Sequence, residues 1–188
     1  TINPIKTIID KAHKYGAAVL IDGAQSVAHQ KINVQELDCD FFVFSGHKIY
    51  GPTGVGVLYG KKNMLQKMKP LYGGGEMIDK VTKVEFTLND IPWRFEAGTP
   101  AIAEVISLKE AIKFIRDLGI DNVHQYETKL INYAQERLLK LDNLKLYSPI
   151  HDKGPTLTFN IDKIHSYDFT KVLDQLGVAI RSGHHCAQ

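Results

Sequence analysis

The sequence predicts an α/β protein: an open, mostly parallel sheet with helices against it, followed by a small α+β domain. Three observations carry this reading. Two short apolar runs, Ala17–Ile21 and Phe41–Phe44, alternate with helix-period segments. Both runs end in polar residues, Asp22 and Ser45-Gly46-His47-Lys48, as strands of an open parallel sheet do at their carboxyl ends. After Asn143 the texture changes to short alternating runs with one exposed face, as at Thr156–Phe159.

Taken in order, Asn3-Pro4 reads as a helix start, with proline in the first turn. Ile5, Ile8, Ile9 and Ala12 make its apolar face, and Gly16 closes it. The strand Ala17–Ile21 follows, then a short helical turn over 32–37. Phe41–Phe44 is wholly apolar, which predicts a strand covered on both faces. Gly51-Pro52-Thr53-Gly54 is a turn, Val55–Tyr59 a third strand and Lys61–Met68 a short helix. Gly73-Gly74-Gly75 reads as a flexible joint, and 77–95 has no clear period, which predicts extended or loop structure at a subunit contact. Glu96–Pro100 is a turn. Ile102, Val105, Ile106, Leu108, Ile112 and Ile115 recur at helix spacing up to Gly119, and Asp121 can cap a long helix to about Leu139. The last part predicts strands at 144–147, 156–159 and 178–180 and a helix over 167–176. The domain boundary falls near residue 118, giving 1–118 and 119–188.

Composition narrows the partners. The chain has 188 residues, 44% of them hydrophobic, and a formal charge of +2. Near-neutral charge makes no case for nucleic acid or an anionic membrane. No apolar stretch is long enough to span a bilayer. Thr1-Ile2-Asn3-Pro4 does not read as a signal peptide. The two cysteines, Cys39 and Cys186, do not make a disulfide scaffold, and free thiols fit a reducing compartment. Cys39 reads as a buried small hydrophobe, and Cys186, in a Gly- and His-rich segment, as an exposed reactive thiol. Both ends read as cut, so the chain is expected to be a fragment of a longer protein.

Two clusters carry the chemistry. Parallel neighbours would place Asp22 and the Ser45–Lys48 segment at one rim of the sheet. An aldehyde cofactor needs a lysine that can form an imine. A pyridine ring used as electron sink needs a carboxylate against its nitrogen, and its phosphate needs hydroxyl, imidazole or backbone donors. Lys48, Asp22 and Ser45 with His47 supply these, and Gln25 can reach the ring's phenolic oxygen. The plainer readings are a strand-end turn carboxylate for Asp22 and a solvated surface lysine for Lys48. A phosphate-loop reading of Gly51–Gly56 fails because the glycine-lysine-serine/threonine ending is missing, and no dinucleotide fingerprint is present. In the second cluster, Arg181, His184 and His185 can favour the thiolate of Cys186. Zinc is the structural alternative, but adjacent residues splay apart and the usual ligand gap is absent, so no metal is assigned. A Cys-His hydrolase lacks an identifiable orienting group and oxyanion hole.

Four blocks resemble one family. Val19-Leu20-Ile21-Asp22-Gly23-Ala24-Gln25, Ser45-Gly46-His47-Lys48-Ile49-Tyr50-Gly51-Pro52-Thr53-Gly54, Arg94-Phe95-Glu96-Ala97-Gly98-Thr99-Pro100 and Arg181-Ser182-Gly183-His184-His185-Cys186-Ala187 are similar to cysteine desulfurases of the SufS type. These are class V members of the fold-type I pyridoxal-phosphate enzymes. The spacings of 26 residues from Asp22 to Lys48 and 138 from Lys48 to Cys186 fit that family. The resemblance implies an aspartate-aminotransferase-like large domain, present in its C-terminal half, and part of the small domain. It implies pyridoxal 5'-phosphate on Lys48, Asp22 at the pyridine nitrogen and Gln25 at the ring oxygen. Ser45 and His47 would hold the phosphate, and Thr99 would reach the phosphate site of a second subunit in a homodimer. Cys186 would take the sulfur of L-cysteine as a persulfide, leaving L-alanine, for transfer to an acceptor in cytoplasmic iron-sulfur cluster assembly. L-selenocysteine is a further substrate of such enzymes. The family's ring-stacking histidine and carboxylate-binding arginine lie in regions this chain does not contain, so the chain as given is expected not to turn over alone. Tyr167 stands where some members offer a histidine to a zinc-containing acceptor, which favours a SufE-like acceptor; His165 lies close by. The competing readings are a selenocysteine lyase, another class V aminotransferase or lyase, and a non-catalytic scaffold that keeps the fold.

Overall fold

A computed structural model describes residues 1–185. They divide into two compact units, Pro4–His124 and a second made of Thr1–Asn3 with residues from Gln125 onward.

The first unit opens with α1 (Ile5–Lys14), which starts directly after Pro4 and buries Ile9 completely. Gly16 follows at φ +70°, a backbone conformation that glycine adopts without strain. The chain turns there into β1 (Leu20–Asp22), which starts three residues later and ends one residue later than the apolar run suggests. A short helix, α2 (Val34–Leu37), is capped by Asn33, whose side chain accepts from the amides of Gln35 and Glu36. Next comes β2 (Phe41–Ser45).

The strands β1 and β2 are parallel, with Asp22 opposite Val43. A 3₁₀ turn, Gly46–Ile49, leads from β2 toward β3 (Gly56–Gly60), which returns antiparallel, with Ser45 opposite Gly56. The sheet order is β1-β2-β3, so β2 is central. The expectation that β2 is covered on both faces holds for Phe42, 4% exposed; Phe41, Val43 and Phe44 are half-buried.

A short helix α3 (Lys62–Lys67) precedes a two-stranded hairpin, β4 (Ile78–Val81) and β5 (Phe86–Leu88). This hairpin occupies the segment that shows no period in sequence. A register irregularity between Ile78 and Lys80 shifts the alternation that would have revealed it. The triple glycine before it is not a free joint: Gly98 N donates to Gly75 O at 2.9 Å, tying it to the 96–100 turn. Helix α4 spans Ile102–Leu118, as the apolar spacing predicts, and ends at Gly119. The next helix, α5 (Ile120–Leu138), begins one residue later, so Asp121 lies inside its first turn instead of capping it.

Two apolar clusters hold this unit. Ile9, Cys39 and Phe42 form one, with Val19, Ile21 and Leu37 packed against it. Ala28, Ile49, Leu108 and Ile115 form the other, with Val27, Phe44 and Val55 at its margin. Each fully buried Leu or Ile contributes about 1.5–3 kcal/mol. The second cluster therefore fixes α4 beneath the turn that carries Lys48.

The second unit contains most of α5, an antiparallel pair β6 (Leu144–Leu146) and β7 (Phe159–Ile161), and α6 (Ser166–Gln175). Phe159 packs edge-on against Phe169 of α6, with ring centroids 6.1 Å apart. Buried Gln135 of α5 donates to Ile150 O at 3.4 Å. The strand expected at 178–180 does not form; those residues are irregular and Val178 is exposed.

Candidate functional site

The sheet sets the geometry at its carboxyl rim. Asp22 ends β1 and pairs in register with Val43, so Ser45 lies two residues further along the neighbouring strand. At roughly 3.3 Å per residue and 4.8 Å between strands, the two Cα atoms are about 8 Å apart. Gly46, His47, Lys48 and Ile49 then make a single 3₁₀ turn from that rim. The register thus puts Asp22 and Ser45 at one rim, with the turn that carries His47 and Lys48 directly after Ser45, as the parallel pairing predicts.

Each side chain is placed by a local cause. Asp22 Oδ1 accepts from Ala24 N at 2.9 Å, which turns the chain away from β1. Gly23 N donates to Val43 O at 2.8 Å, continuing the ladder one residue past the strand. A Cβ at Gly23 would lie 2.0 Å from Phe42 Cζ, so only glycine fits between Asp22 and the core. Ser26 N and Val27 N both donate to Gly23 O, forming the short turn that carries Gln25 outward, where it is exposed.

The Lys48 turn is closed as tightly. Tyr50 N and Gly51 N both donate to Gly46 O, and Gly46 N donates to Val55 O at 2.8 Å. Tyr50 sits in the left-handed region at φ 60°. Ile49 points into the core and is 7% exposed, while His47 and Lys48 face outward. Among the described residues, the side chains of Ser45, His47 and Lys48 make no hydrogen bond or ion pair with one another or with Asp22.

This donor set fits pyridoxal phosphate. A carboxylate with one oxygen not used by the Ala24 amide suits a protonated pyridine nitrogen. An exposed primary amine suits an aldehyde, and a hydroxyl with an imidazole suits a phosphate. The other expected residues lie elsewhere. Thr99 follows Gly98 (φ +79°) in the turn before α4, and no hydrogen bond joins it to the Asp22–Lys48 rim among the described residues. Arg94 Nε donates to Asn89 O at 3.1 Å, inside its own loop. Arg181, His184 and His185 belong to the second unit and are exposed. Cys186 lies outside the described residues. His165 caps α6, its Nδ1 accepting from Tyr167 N at 3.3 Å, and Tyr167 is exposed with Lys171 Nζ 4.4 Å from its ring centroid. Among the described residues, no group of His, Cys, Asp and Glu could hold a metal ion.

One cluster escaped the sequence reading. Asp40, 7% exposed, begins the turn into β2 at the opposite end of the sheet. Its Oδ2 accepts from His13 Nε2 and from Val19 N, both at 2.8 Å. Lys61 Nζ lies 3.4 Å from its Oδ1 and donates to Asp38 Oδ1 at 2.6 Å. Burial pushes the Asp40 carboxyl up, but the His13 bond, the Val19 amide and Lys61 together outweigh it and hold it below the usual carboxylate range. The Lys61 hydrogen bond lowers Asp38, and the same bond raises Lys61. Residues 27 and 21 positions away supply these partners, which no local motif announces.

The Aminotransferase class-V family profile matches residues 1–188. A probable cysteine desulfurase of Halalkalibacterium halodurans is 53% identical over the whole chain, which covers 46% of that protein. A cysteine desulfurase of Pectobacterium atrosepticum is 50% identical with the same coverage. The crystal structure of the cysteine desulfurase CsdA from Escherichia coli superposes with a TM-score of 0.93 at 39% identity, over 98% of this chain and 46% of that one. The cysteine desulfurase of Thermococcus onnurineus gives 0.93 at 35% identity, with the same two coverages. The fold is therefore the aspartate-aminotransferase-like α/β fold. The chain spans about half the length of the curated relatives it matches.

Proposed function

Because the chain belongs to the class-V aminotransferase family, we propose that it is part of a pyridoxal-phosphate enzyme that converts L-cysteine to L-alanine and holds the sulfur as a persulfide on Cys186. The observation that carries this is the placement of Asp22 and the Ser45–Lys48 turn on one rim, fixed by the β1–β2 register. Identities of 50% and more to proteins described as cysteine desulfurases, across every residue of the chain, support the reaction class.

In this reading Lys48 holds pyridoxal 5'-phosphate, which supplies an electron sink next to the substrate's α carbon. Asp22 keeps the ring nitrogen protonated and Gln25 bonds the ring oxygen. Ser45 and His47 bind the phosphate, and Thr99 does so for the neighbouring subunit of a homodimer. Lys48, with its amine free, would move protons at the substrate's α carbon. The Cys186 thiolate attacks the substrate sulfur, so that an S–S bond forms and the Cβ–S bond breaks. The electron pair of the broken bond would stay with the carbon, which takes up protons to become the methyl group of alanine. Arg181, His184 and His185 favour the thiolate. The persulfide then passes to a SufE-like acceptor in the cytoplasm for iron-sulfur cluster assembly. Residues 1–118 act as half of the large domain and 119–188 as part of the small one.

The test uses the full-length protein. L-Cysteine is added, and alanine and sulfide are assayed in the wild type, Lys48→Ala and Cys186→Ala. Borohydride reduction and peptide mapping locate the cofactor. Alanine and reducible sulfur from the wild type alone, with cofactor on Lys48, supports the reading. Bound cofactor without alanine points to another class V reaction, and a protein that takes up no cofactor overturns the enzyme reading.

A further inference from the structure

The Lys48 turn and the Asp22–Gln25 turn do not touch through any described hydrogen bond, yet both rest on one floor. Ile49, next to Lys48, and Ala28, three residues past Gln25, are both buried in the cluster with Leu108 and Ile115 of α4. Leu108, 5% exposed, meets the Lys48 turn at its closing residue: a Cβ at Gly51 would lie 2.9 Å from Leu108 Cδ1 and 2.8 Å from Gly46 O. The turn therefore cannot settle deeper without displacing that methyl group. On the next turns of the same helix, Phe114 meets Tyr50 edge-on, centroids 6.1 Å apart.

We propose that Leu108 is a positioning residue: through Ile49 and Gly51 it sets the height of the Lys48 turn above the sheet, relative to Asp22. This rests on the cofactor reading above and adds a residue remote from the chemistry. The physical ground is that close-packed interiors transmit displacement instead of absorbing it. Removal of the Leu108 methyls lets Ile49 sink, and Lys48 follows because Gly46 O ties Tyr50 and Gly51 to the same turn.

The experiment compares Leu108→Ala and the milder Leu108→Val with Leu108→Met, which keeps the volume, in the full-length cofactor-loaded protein. Ile9→Val serves as a control, since Ile9 is fully buried in the other cluster. Four quantities are read: melting temperature, cofactor dissociation constant, the pH midpoint of the bound cofactor's absorbance, and kcat and KM for L-cysteine. Leu108→Ala and Leu108→Val shift the pH midpoint and lower kcat, roughly tenfold for Ala, with KM little changed. Leu108→Met restores both, and Ile9→Val loses melting temperature without moving the midpoint. Should Leu108→Ala not fold, Leu108→Val gives the same reading at smaller amplitude. Wild-type midpoint and kcat in a folded Leu108→Val or Leu108→Ala protein overturn the inference while Lys48 attachment, mapped after borohydride, leaves the cofactor reading standing. A wild type without cofactor on Lys48 overturns both.

Discussion

His13 Nε2 and Asp40 Oδ2 lie 2.8 Å apart, and this contact fastens α1 to the entry of β2. Asp40 also takes the Val19 amide, its own amide donates to Val19 O at 3.0 Å, and its carbonyl accepts from Lys61 N at 2.9 Å. One residue thereby joins α1, the approach to β1, the start of β2 and the end of β3.

Acid stability should depend on this residue. The folded Asp40 carboxyl titrates below its ordinary value, so its contribution is complete above about pH 4 and is lost as pH falls through the folded value. Asp40→Asn should cost about 1–3 kcal/mol at pH 7. It should also flatten the loss of stability below pH 4. Urea unfolding of the full-length protein at a series of pH values checks both, and an unchanged acid slope would reject the assignment.

The two cysteines should differ in reactivity. Cys39 is 0% exposed, and burial raises its pKa. Iodoacetamide should leave Cys39 unmodified until the protein unfolds. Cys186 should alkylate in the native protein. Mass spectrometry of the tryptic peptides gives both rates, and Cys186→Ser should keep the cofactor's absorbance while losing alanine formation.

Asp22→Ala should lower kcat by roughly 100- to 1,000-fold, the scale of losing a preorganised charge partner of the reacting group. The melting temperature should change little, because the side chain is exposed and, among the described residues, its hydrogen bond is to the neighbouring Ala24 N. Steady-state kinetics beside a thermal melt separates the two effects.

Gly74→Ala should loosen cofactor binding. A Cβ there would stand 3.1 Å from Gly98 N and 3.3 Å from Ala97 Cβ, so the turn before Thr99 must shift by tenths of an ångström. Overpacking of this kind costs about 1–3 kcal/mol. A cofactor titration should show weaker retention than wild type, and equal retention would remove Thr99 from the phosphate site.

Much of this molecule was readable in the chain. The apolar spacing from Ile102 to Ile115 marks the extent of α4, although only Leu108, Ala111 and Ile115 are buried in this unit and Ile102, Val105, Ile106 and Ile112 are exposed. The parallel pairing of β1 with β2 followed from two apolar runs with polar carboxyl ends, and with it the rim that holds Asp22, Ser45 and Lys48. The hairpin β4–β5 was not readable, since its bulge shifts the alternation and Val81 and Phe86 are exposed, leaving no buried face to give a period. Val178–Ile180 looks like a strand by composition, but among the described residues nothing pairs with it. The Asp40 cluster was invisible for another reason: its partners converge only once α1, β2 and β3 are folded.

The central strand keeps its two duties apart. Asp40 stands just before Phe41 at one end of β2, and Ser45 at the other, roughly 17 Å away along the strand. An engineer seeking acid tolerance can therefore alter the His13–Asp40–Lys61 end alone, provided the replacement for Asp40 still accepts from the Val19 amide. The rim that carries Asp22 and Ser45 would keep every residue it has.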